Sequence, residues 1–218
     1  MTKEELLKYI DQTLLRPQTT IEEMCAFLEE ARIYRFYAVC INPWFTKLAV
    51  ETMKGSGVQV GVAIGFPLGA TTTRTKMHEA EEALEEGADE LDMVINIGAL
   101  KSRDYEYVEN EIKKIVNLAG KKVVKVILET CYLTEEEKIS ACKIAMSGGA
   151  SFVKTSTGFG PGGATVEDVR LMRQVVGDKL GVKASGGIRT LEDALKMISA
   201  GANRIGTSSG KAIIDALS

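Results

Sequence analysis

Short runs rich in β-branched residues alternate with longer amphipathic segments along the whole 218-residue chain. Strands that alternate with helices indicate βα units and therefore a parallel sheet. The strand candidates are YIDQTLL, RFYAVCI, QVGVAIG, ELDMVIN, KVVKVILE, FVKTST, GVKASG and RIGTSS. Eight such units are the number that closes a (β/α)8 TIM barrel, and we expect this α/β fold. An open doubly wound sheet has the same local pattern and remains the alternative.

The length of the chain fits one domain, since barrels and large α/β folds often run to about 200–250 residues without a break. No Pro-rich or Ser-rich linker divides the sequence. We therefore expect a single (β/α)8 barrel catalytic domain over residues 1–218, with a short helix at its N-terminus.

Charge and composition argue against several classes of protein. The formal net charge of -3 and the lack of a basic block argue against nucleic-acid binding. No apolar run approaches the roughly 18 residues of a membrane span, and the charged N-terminus lacks the apolar core of a secretory signal. Four cysteines without a CxxC pair indicate free thiols, and a lone His78 argues against a zinc site. We expect a cytoplasmic protein without metal or other cofactor.

Two lysines lie within apolar runs that we interpret as buried strands, Lys154 in SFVKTSTGFG and Lys183 in GVKASGGIRT. Burial of an ammonium is costly, so a buried lysine often has a depressed pKa and a neutral amine. A neutral amine is a nucleophile that can form a Schiff base with a carbonyl substrate. The two lysines therefore indicate covalent carbonyl chemistry.

The alternation of side chains along the strands predicts which residues face the barrel interior. In LDMVIN the uniformly apolar set, Leu91, Met93 and Ile95, must face the helices, which leaves Asp92 inside. By the same reasoning Lys125 points inward from KVVKVILE. Four neighbouring strands thus offer Asp92, Lys125, Lys154 and Lys183 to one interior.

Such a group of charges is unusual inside a barrel, whose core is normally made of Val, Ile and Leu. A single lysine of this kind could instead extend its head to the rim along an apolar stem. Three lysines and an aspartate are harder to explain in that way. Mutual repulsion among the lysines, partly relieved by Asp92, would lower the pKa of at least one amine.

The loops after the last three strands carry glycine and serine. The positions are Gly158, Gly186, Gly187, Ser208 and Ser209. Glycine lets a ligand approach the backbone, and phosphate sites in barrels favour the loops after the last two strands. For each cluster alone, a turn-forming glycine is the commoner explanation, but the convergence of three clusters beside the lysines predicts a phosphorylated substrate.

The segments that carry these residues resemble the motifs of the deoxyribose-phosphate aldolase family. The motifs are LDMVINIGAL, KVILET, FVKTSTGF with GGAT, GVKASGGIRT and IGTSSG. The resemblance runs from IDQTLL to the end of the chain. It implies a class I aldolase with a (β/α)8 barrel that cleaves 2-deoxy-D-ribose 5-phosphate to D-glyceraldehyde 3-phosphate and acetaldehyde, without a metal, in deoxyribose phosphate catabolism.

The resemblance also implies a role for each site residue. Lys154 matches the Schiff-base lysine, Lys183 the neighbouring lysine that perturbs it, Asp92 the acid that shuttles protons, and Lys125 a supporting lysine. Positions matching the phosphate contacts are Gly158, Gly187, Ser208 and Ser209, with Gly186 beside them. A homo-oligomer, dimer or tetramer, is expected, with sugar phosphate and aldehyde as the small-molecule partners.

Two departures from the family pattern limit what can be carried over. Gln12 replaces the histidine of the common IDHTLL motif, so we expect no catalytic role there. The chain ends at SGKAIIDALS without the tyrosine-ended tail of some relatives, so we expect Asp92 and water to move protons.

Three other functions fit the same residues. One is a different Schiff-base aldolase or transaldolase, one a sugar-phosphate isomerase without a covalent intermediate, and one a non-catalytic phosphate-binding barrel.

Overall fold

Eight parallel strands, numbered β1 to β8, close on themselves because β1 pairs with β8 as well as with β2, with Ile10 opposite Ile205. The structure is a computed structural model that describes residues 1–217. The strands are β1 (Ile10–Leu14), β2 (Ala38–Ile41), β3 (Gln59–Ile64), β4 (Glu90–Val94), β5 (Val123–Ile127), β6 (Phe152–Lys154), β7 (Gly181–Ser185) and β8 (Arg204–Thr207). The closed order confirms the predicted TIM barrel over the open-sheet alternative.

Helices surround this barrel. They are α1 (Lys3–Leu7), α2 (Ile21–Tyr34), α3 (Thr46–Met53), α4 (Thr73–Glu85), α5 (Ile97–Lys101), α6 (Tyr105–Ala119), α7 (Glu135–Ser147), α8 (Val166–Val176), α9 (Leu191–Ser199) and α10 (Gly210–Asp215), with 3-10 turns at Pro43–Phe45 and Thr130–Tyr132. None of the helices within residues 1–217 has both the length and the apolar character that a membrane crossing requires. The predicted domain extent, 1–218, includes Ser218, which lies outside the described residues, and stays a prediction.

Threonines begin several of the helices. Thr134, Thr165 and Thr190 each precede an acidic first turn and accept a hydrogen bond from the backbone N–H three residues on. Such caps satisfy helix N–H groups that otherwise lack partners. They fix where α7, α8 and α9 begin, and therefore how long the preceding loops at the barrel mouth are.

The main hydrophobic core lies between the strands and the surrounding helices. Leu91 and Met93 of β4 and Val124 and Val126 of β5 are buried there together with side chains of α6 such as Ile112. The alternation of a strand then turns the residues between them toward the barrel axis. The predicted division of β4 and β5 into an apolar outer face and a charged inner face is confirmed.

A buried ion pair lies outside the barrel, between two of the helices. Lys76 of α4 donates to Glu111 Oε2 of α6 at 2.7 Å and to the carbonyl oxygen of Val94 at 2.8 Å, and neither charged side chain is exposed. Gly65 provides the space, since a Cβ there would lie 2.8 Å from Lys76 Cε. The pair connects two helices to the end of β4.

We expect Lys76→Met to lower the free energy of unfolding by about 3–5 kcal/mol, because it leaves Glu111 buried without its cation. Urea denaturation at neutral pH measures this loss. The double variant Lys76→Met/Glu111→Gln should recover much of it, since no buried charge then remains unpaired. Lys113→Met, which breaks an exposed pair on α6, is the control and should change stability little. A loss for Lys76→Met no greater than that of Lys113→Met would contradict the expectation.

Candidate active site

The barrel interior brings together the four charged side chains that strand alternation places there. Asp92 lies opposite Lys125 in the register of β4 and β5, and Lys154 lies opposite Lys183 in that of β6 and β7. Asp92 Oδ1 accepts from Lys125 Nζ at 2.7 Å, and Asp92 Oδ2 accepts from Lys154 Nζ at 2.8 Å and Lys183 Nζ at 2.7 Å. All four residues are buried. One carboxylate therefore holds three amines close together.

Three further buried charges extend this group toward the start of the strands. Lys183 Nζ lies 2.6 Å from Asp11 Oδ2, and Arg204 Nε donates to Asp11 Oδ1 at 2.6 Å. Arg204 also donates to Glu90 at 2.9 and 3.2 Å, and Lys125 donates to Glu90 Oε2 at 2.5 Å. The contacts close a ring through Asp92, Lys183, Asp11, Arg204, Glu90 and Lys125. We call it the charge ring; positive and negative groups alternate around it.

Sequence analysis missed Asp11, Glu90 and Arg204. A signal existed for Glu90, which precedes Asp92 by two residues and therefore shares its face of β4. Asp11 and Arg204 are also charged residues within strand candidates, IDQTLL and RIGTSS. Applying the alternation to every strand would have identified these three as candidates for the inner face, although not their contacts with one another.

Asp92 is held as a carboxylate. Burial alone would raise the pKa of Asp92, but the positive charges of Lys125, Lys154 and Lys183 outweigh burial and hold this pKa well below its usual range. The group is thus ionised at neutral pH and accepts hydrogen bonds from all three amines. It can donate a proton only after it has taken one.

Lys125 and Lys183 are held as ammonium ions. Burial alone would lower both pKa values, but Asp92 raises the pKa of Lys125, and Asp11 with Asp92 raises that of Lys183. Lys154 is placed differently. Within residues 1–217 its ion-pair partner is Asp92, through the oxygen that also binds Lys183. The side chain of Lys154 also lines a cavity at the ends of the strands. Lys154 is therefore the amine that a substrate can reach.

A cavity of about 350 Å³ opens above Lys154 at the ends of the strands. Four of the five residues predicted for phosphate binding line it, namely Gly158, Gly186, Gly187 and Ser208. The fifth, Ser209, precedes α10 and is not among the lining residues. Two exposed cations that the sequence analysis did not single out also line the cavity, Arg16 and Arg189. The amine of Lys154, the glycine loops and the two guanidinium groups thus line one cavity.

Close packing of the loops after β6 and β7 requires glycine. A Cβ on Gly163 would lie 2.2 Å from the carbonyl oxygen of Gly186, and Gly186 itself has a φ of +89°. The N–H of Ala164 donates to that same oxygen at 3.0 Å. The GGAT segment therefore supports the Gly186–Gly187 loop directly.

Glu129 fixes the loop after β6 from the neighbouring strand. Its buried carboxylate accepts from the N–H of Thr157 at 3.2 and 3.3 Å and from the hydroxyl of Thr157, and its backbone is left-handed with a φ of +55°. A left-handed glutamate is strained and persists only where the surroundings hold it. Glu129 follows Lys125 by four residues, so the alternation of KVVKVILE points it inward as well, but the alternation gives no sign of its contact with the loop.

Two neighbouring polar residues take no part in binding Lys154. Cys40 Sγ lies 3.6 Å from Asp92 Oδ2, and burial together with that carboxylate raises the pKa of the Cys40 thiol. Gln12 accepts from the N–H of Gly210 and donates to Glu30, so it connects β1 to α10 and α2. Among residues 1–217 no cluster of His, Cys, Asp and Glu side chains is arranged to hold a metal ion.

The chain is similar to proteins of a known family over nearly its whole length. The sequence model described as DeoC/LacD family aldolase matches residues 5–216, nearly the whole chain. The chain belongs to the DeoC/LacD aldolase family. It is therefore an aldolase, a lyase that acts on a carbon–carbon bond. The resemblance predicted from the motifs is confirmed, and the isomerase and non-catalytic alternatives are wrong.

Individual members of the family support this assignment. The aldolase is 62% identical to the deoxyribose-phosphate aldolase of Thermococcus kodakarensis, over 99% of this chain and 98% of the relative. It superimposes on the solved aldolase QR15 with a TM-score of 0.93 at 47% identity, covering 97% of this chain and 95% of the other. A deoxyribose phosphate aldolase from Aeropyrum pernix, described as a unique tetramer, has a TM-score of 0.92 at 36% identity, covering 99% and 92%.

Proposed function

We propose that this aldolase reversibly cleaves 2-deoxy-D-ribose 5-phosphate to D-glyceraldehyde 3-phosphate and acetaldehyde through a Schiff base on Lys154. The observation that carries the proposal is the position of Lys154, which joins the charged interior to the cavity between the glycine loops. The names of the relatives from Thermococcus kodakarensis and Aeropyrum pernix support the substrate.

The covalent step begins with the neutral amine of Lys154. The amine adds to C1 of the open-chain sugar, and loss of water gives an iminium ion. The C2–C3 bond then breaks because its electrons can flow into the iminium, which becomes an enamine. The C3 end leaves as the aldehyde of D-glyceraldehyde 3-phosphate once its hydroxyl loses a proton.

Asp92 and Lys183 move the proton in this proposal. Asp92 is held ionised, so it can accept the C3 hydroxyl proton through a water and Lys183, which lies 2.7 Å away. The same groups return a proton to C2 of the enamine, and water releases acetaldehyde and regenerates Lys154. Lys125 supports the arrangement, since its bond to Asp92 Oδ1 fixes the carboxylate.

The phosphate binds in the same cavity, against the glycine loops. Gly158, Gly186, Gly187 and Ser208 line the cavity and, with Ser209, form the proposed phosphate site. Backbone N–H groups of glycine loops suit a phosphate, and the nearby Arg16 and Arg189 add positive charge. Anchoring the phosphate would orient the C2–C3 bond relative to Lys154.

Product analysis tests the reaction. Incubation with 2-deoxy-D-ribose 5-phosphate should release acetaldehyde and D-glyceraldehyde 3-phosphate in equal amounts. A phosphorylated sugar that releases a different carbonyl fragment would favour the alternative of another Schiff-base aldolase or transaldolase. Absence of cleavage of deoxyribose 5-phosphate would refute the proposed substrate.

The phosphate site makes a separate prediction. Ser208→Asp places a negative charge beside the proposed phosphate, so KM for deoxyribose 5-phosphate should rise about 10- to 100-fold by repulsion. Unphosphorylated deoxyribose lacks the dianion and should be affected far less. The ratio of kcat/KM values for the two substrates measures the effect and cancels general damage. Ser208→Asn, similar in size but neutral, is the control; equal losses for both substrates in Ser208→Asp would mean that the phosphate lies elsewhere.

We also propose that the aldolase is a cytoplasmic homo-oligomer. The four cysteines are free, which fits a cytoplasmic protein. The tetrameric description of the Aeropyrum pernix relative supports a homo-oligomer, dimer or tetramer. The pathway would be deoxyribose phosphate catabolism.

A further inference from the structure

The six members of the charge ring lie beneath the cavity wall, since none of them is among its lining residues, whereas Lys154 is. Asp11, Glu90 and Arg204 pair with one another and reach Asp92 through Lys183 and Lys125. All three are buried, with Arg204 the most accessible at 4%. Any effect of these three residues on Lys154 must therefore pass through the field of the buried charges.

The charges of the ring cancel. Within the described residues the ring holds three cations and three carboxylates, and Lys154 attaches to it from outside at Asp92. A protonated Lys154 would leave one uncompensated positive charge in a buried site, whereas a neutral Lys154 leaves none. A low-dielectric interior penalises the uncompensated charge strongly.

We propose that Arg204, Asp11 and Glu90 are positioning residues. Their charges determine how many protons the buried lysines hold together, and they make Lys154 the lysine that is neutral. The inference rests on the proposed function only in taking Lys154 as the nucleophile. It adds that a guanidinium at the far end of the barrel decides the protonation state of the lysine at the cavity.

All the other strands except β3 carry a buried titratable group that enters this balance. These groups are Asp11 of β1, Cys40 of β2, Glu90 and Asp92 of β4, Lys125 of β5, Lys183 of β7 and Arg204 of β8. Cys40 stays a neutral thiol because its pKa is raised. The pKa values of Lys125, Lys183 and Arg204 are raised, so these three keep their protons. Lys154 lies outside the ring and lines the cavity, and in this proposal it is the amine whose proton the ring controls.

Removal of a cation and removal of an anion from the ring should shift the pH at which Lys154 loses its proton in opposite directions. Arg204→Met removes a cation, so a protonated Lys154 would balance the remaining carboxylates and the amine would keep its proton to higher pH. A proton prefers an amine to a carboxylate by several pH units, so protonation of Glu90 or Asp11 would not take its place. Glu90→Gln removes an anion, so the neutral amine should persist to lower pH. Asp11→Asn should act in the same direction as Glu90→Gln.

The test measures Lys154 directly. The intact protein is treated with acetaldehyde and cyanoborohydride across a range of pH, and peptide mass spectrometry follows the rate at which Lys154 is alkylated, relative to an exposed lysine such as Lys196 in the same sample. We expect the midpoint of this profile to rise by about one pH unit in Arg204→Met and to fall by about one unit in Glu90→Gln. Circular dichroism checks that each variant is folded.

Arg204→Lys separates charge from geometry. It loses the fork of hydrogen bonds to Asp11 and Glu90 but keeps the positive charge, so its midpoint should stay near that of the unchanged protein. Midpoints that move in the same direction in Arg204→Met and Glu90→Gln, or that do not move, would overturn the inference. If Arg204→Met does not fold, Glu90→Gln and Asp11→Asn still test it, because both midpoints must fall. Failure to alkylate Lys154 in the unchanged protein would instead refute the Schiff-base proposal.

Discussion

Replacement of Lys154 by Met should abolish turnover, with a loss of kcat of more than about 10,000-fold, because Lys154 is the lysine that lines the cavity within residues 1–217 and the variant has no amine there to form the Schiff base. Lys154→Arg should be equally inactive, since a guanidinium stays protonated and cannot attack a carbonyl. Both variants should fold, because Arg keeps a cation beside Asp92 and Met keeps the volume. Steady-state release of acetaldehyde measures the loss, and circular dichroism tests the fold.

A matched lysine elsewhere controls for this effect. Lys138 of α7 pairs with Asp168 at 2.5 Å outside the barrel, so Lys138→Met should retain most of the activity. Turnover by Lys154→Met within about tenfold of the unchanged protein would mean that another group carries the covalent step, a role that would then pass to Lys183 or Lys125.

Asp92→Asn should affect both activity and stability. The amide keeps the size of the carboxylate but cannot take up the C3 proton or balance three lysines, so kcat should fall by about 100- to 10,000-fold. The remaining buried cations lose their common partner, and the free energy of unfolding should fall by about 3–5 kcal/mol. Urea denaturation and steady-state kinetics at neutral pH measure the two losses.

The stability difference should depend on pH in one direction. Because the pKa of Asp92 is lowered in the folded protein, its contribution is fully present above the pKa of an unfolded aspartate, about 3.9, and is lost as pH falls toward the folded value. The gap between the unchanged protein and Asp92→Asn should therefore be constant near neutral pH and narrow below about pH 4. A gap that widens in acid would contradict the ionised state of Asp92.

The barrel and the position of its inner lysines could be predicted because each rests on a local pattern. Eight strand candidates gave eight strands, and alternation within β4 and β5 was enough to point Asp92 and Lys125 inward. A strand buried on both faces has few charged residues, so each exception is informative. Lys154 and Lys183 were such exceptions.

The charge ring could not be assembled from local patterns. Glu90 on β4 and Arg204 on β8 come from opposite sides of the barrel, and they meet because the long Arg204 side chain crosses the interior. The stagger of strands in a barrel sets which residues share a level, and no single segment carries that information. Side-chain alternation predicts which face of the strand a residue lies on, but not its level along the barrel axis.

Lys76 is a buried charged residue whose burial no pattern in the sequence predicts. It lies in a helix rich in charged residues, TRTKMHEAEEALE, where one more lysine suggests an exposed position. Its burial depends on two distant features, the space at Gly65 and the carboxylate of Glu111. The spacing of residues within one helix contains no information about either feature.

Borohydride reduction in the presence of 2-deoxy-D-ribose 5-phosphate, followed by peptide mapping, tests directly whether Lys154 forms the Schiff base. Borohydride converts an iminium into a stable secondary amine, so an intermediate leaves its carbon skeleton on the lysine that formed it. The predicted result is irreversible inactivation with the adduct on Lys154 and loss of the adduct in Lys154→Met. An adduct confined to Lys125 or Lys183, or full turnover with no adduct on any lysine, would contradict the proposed mechanism.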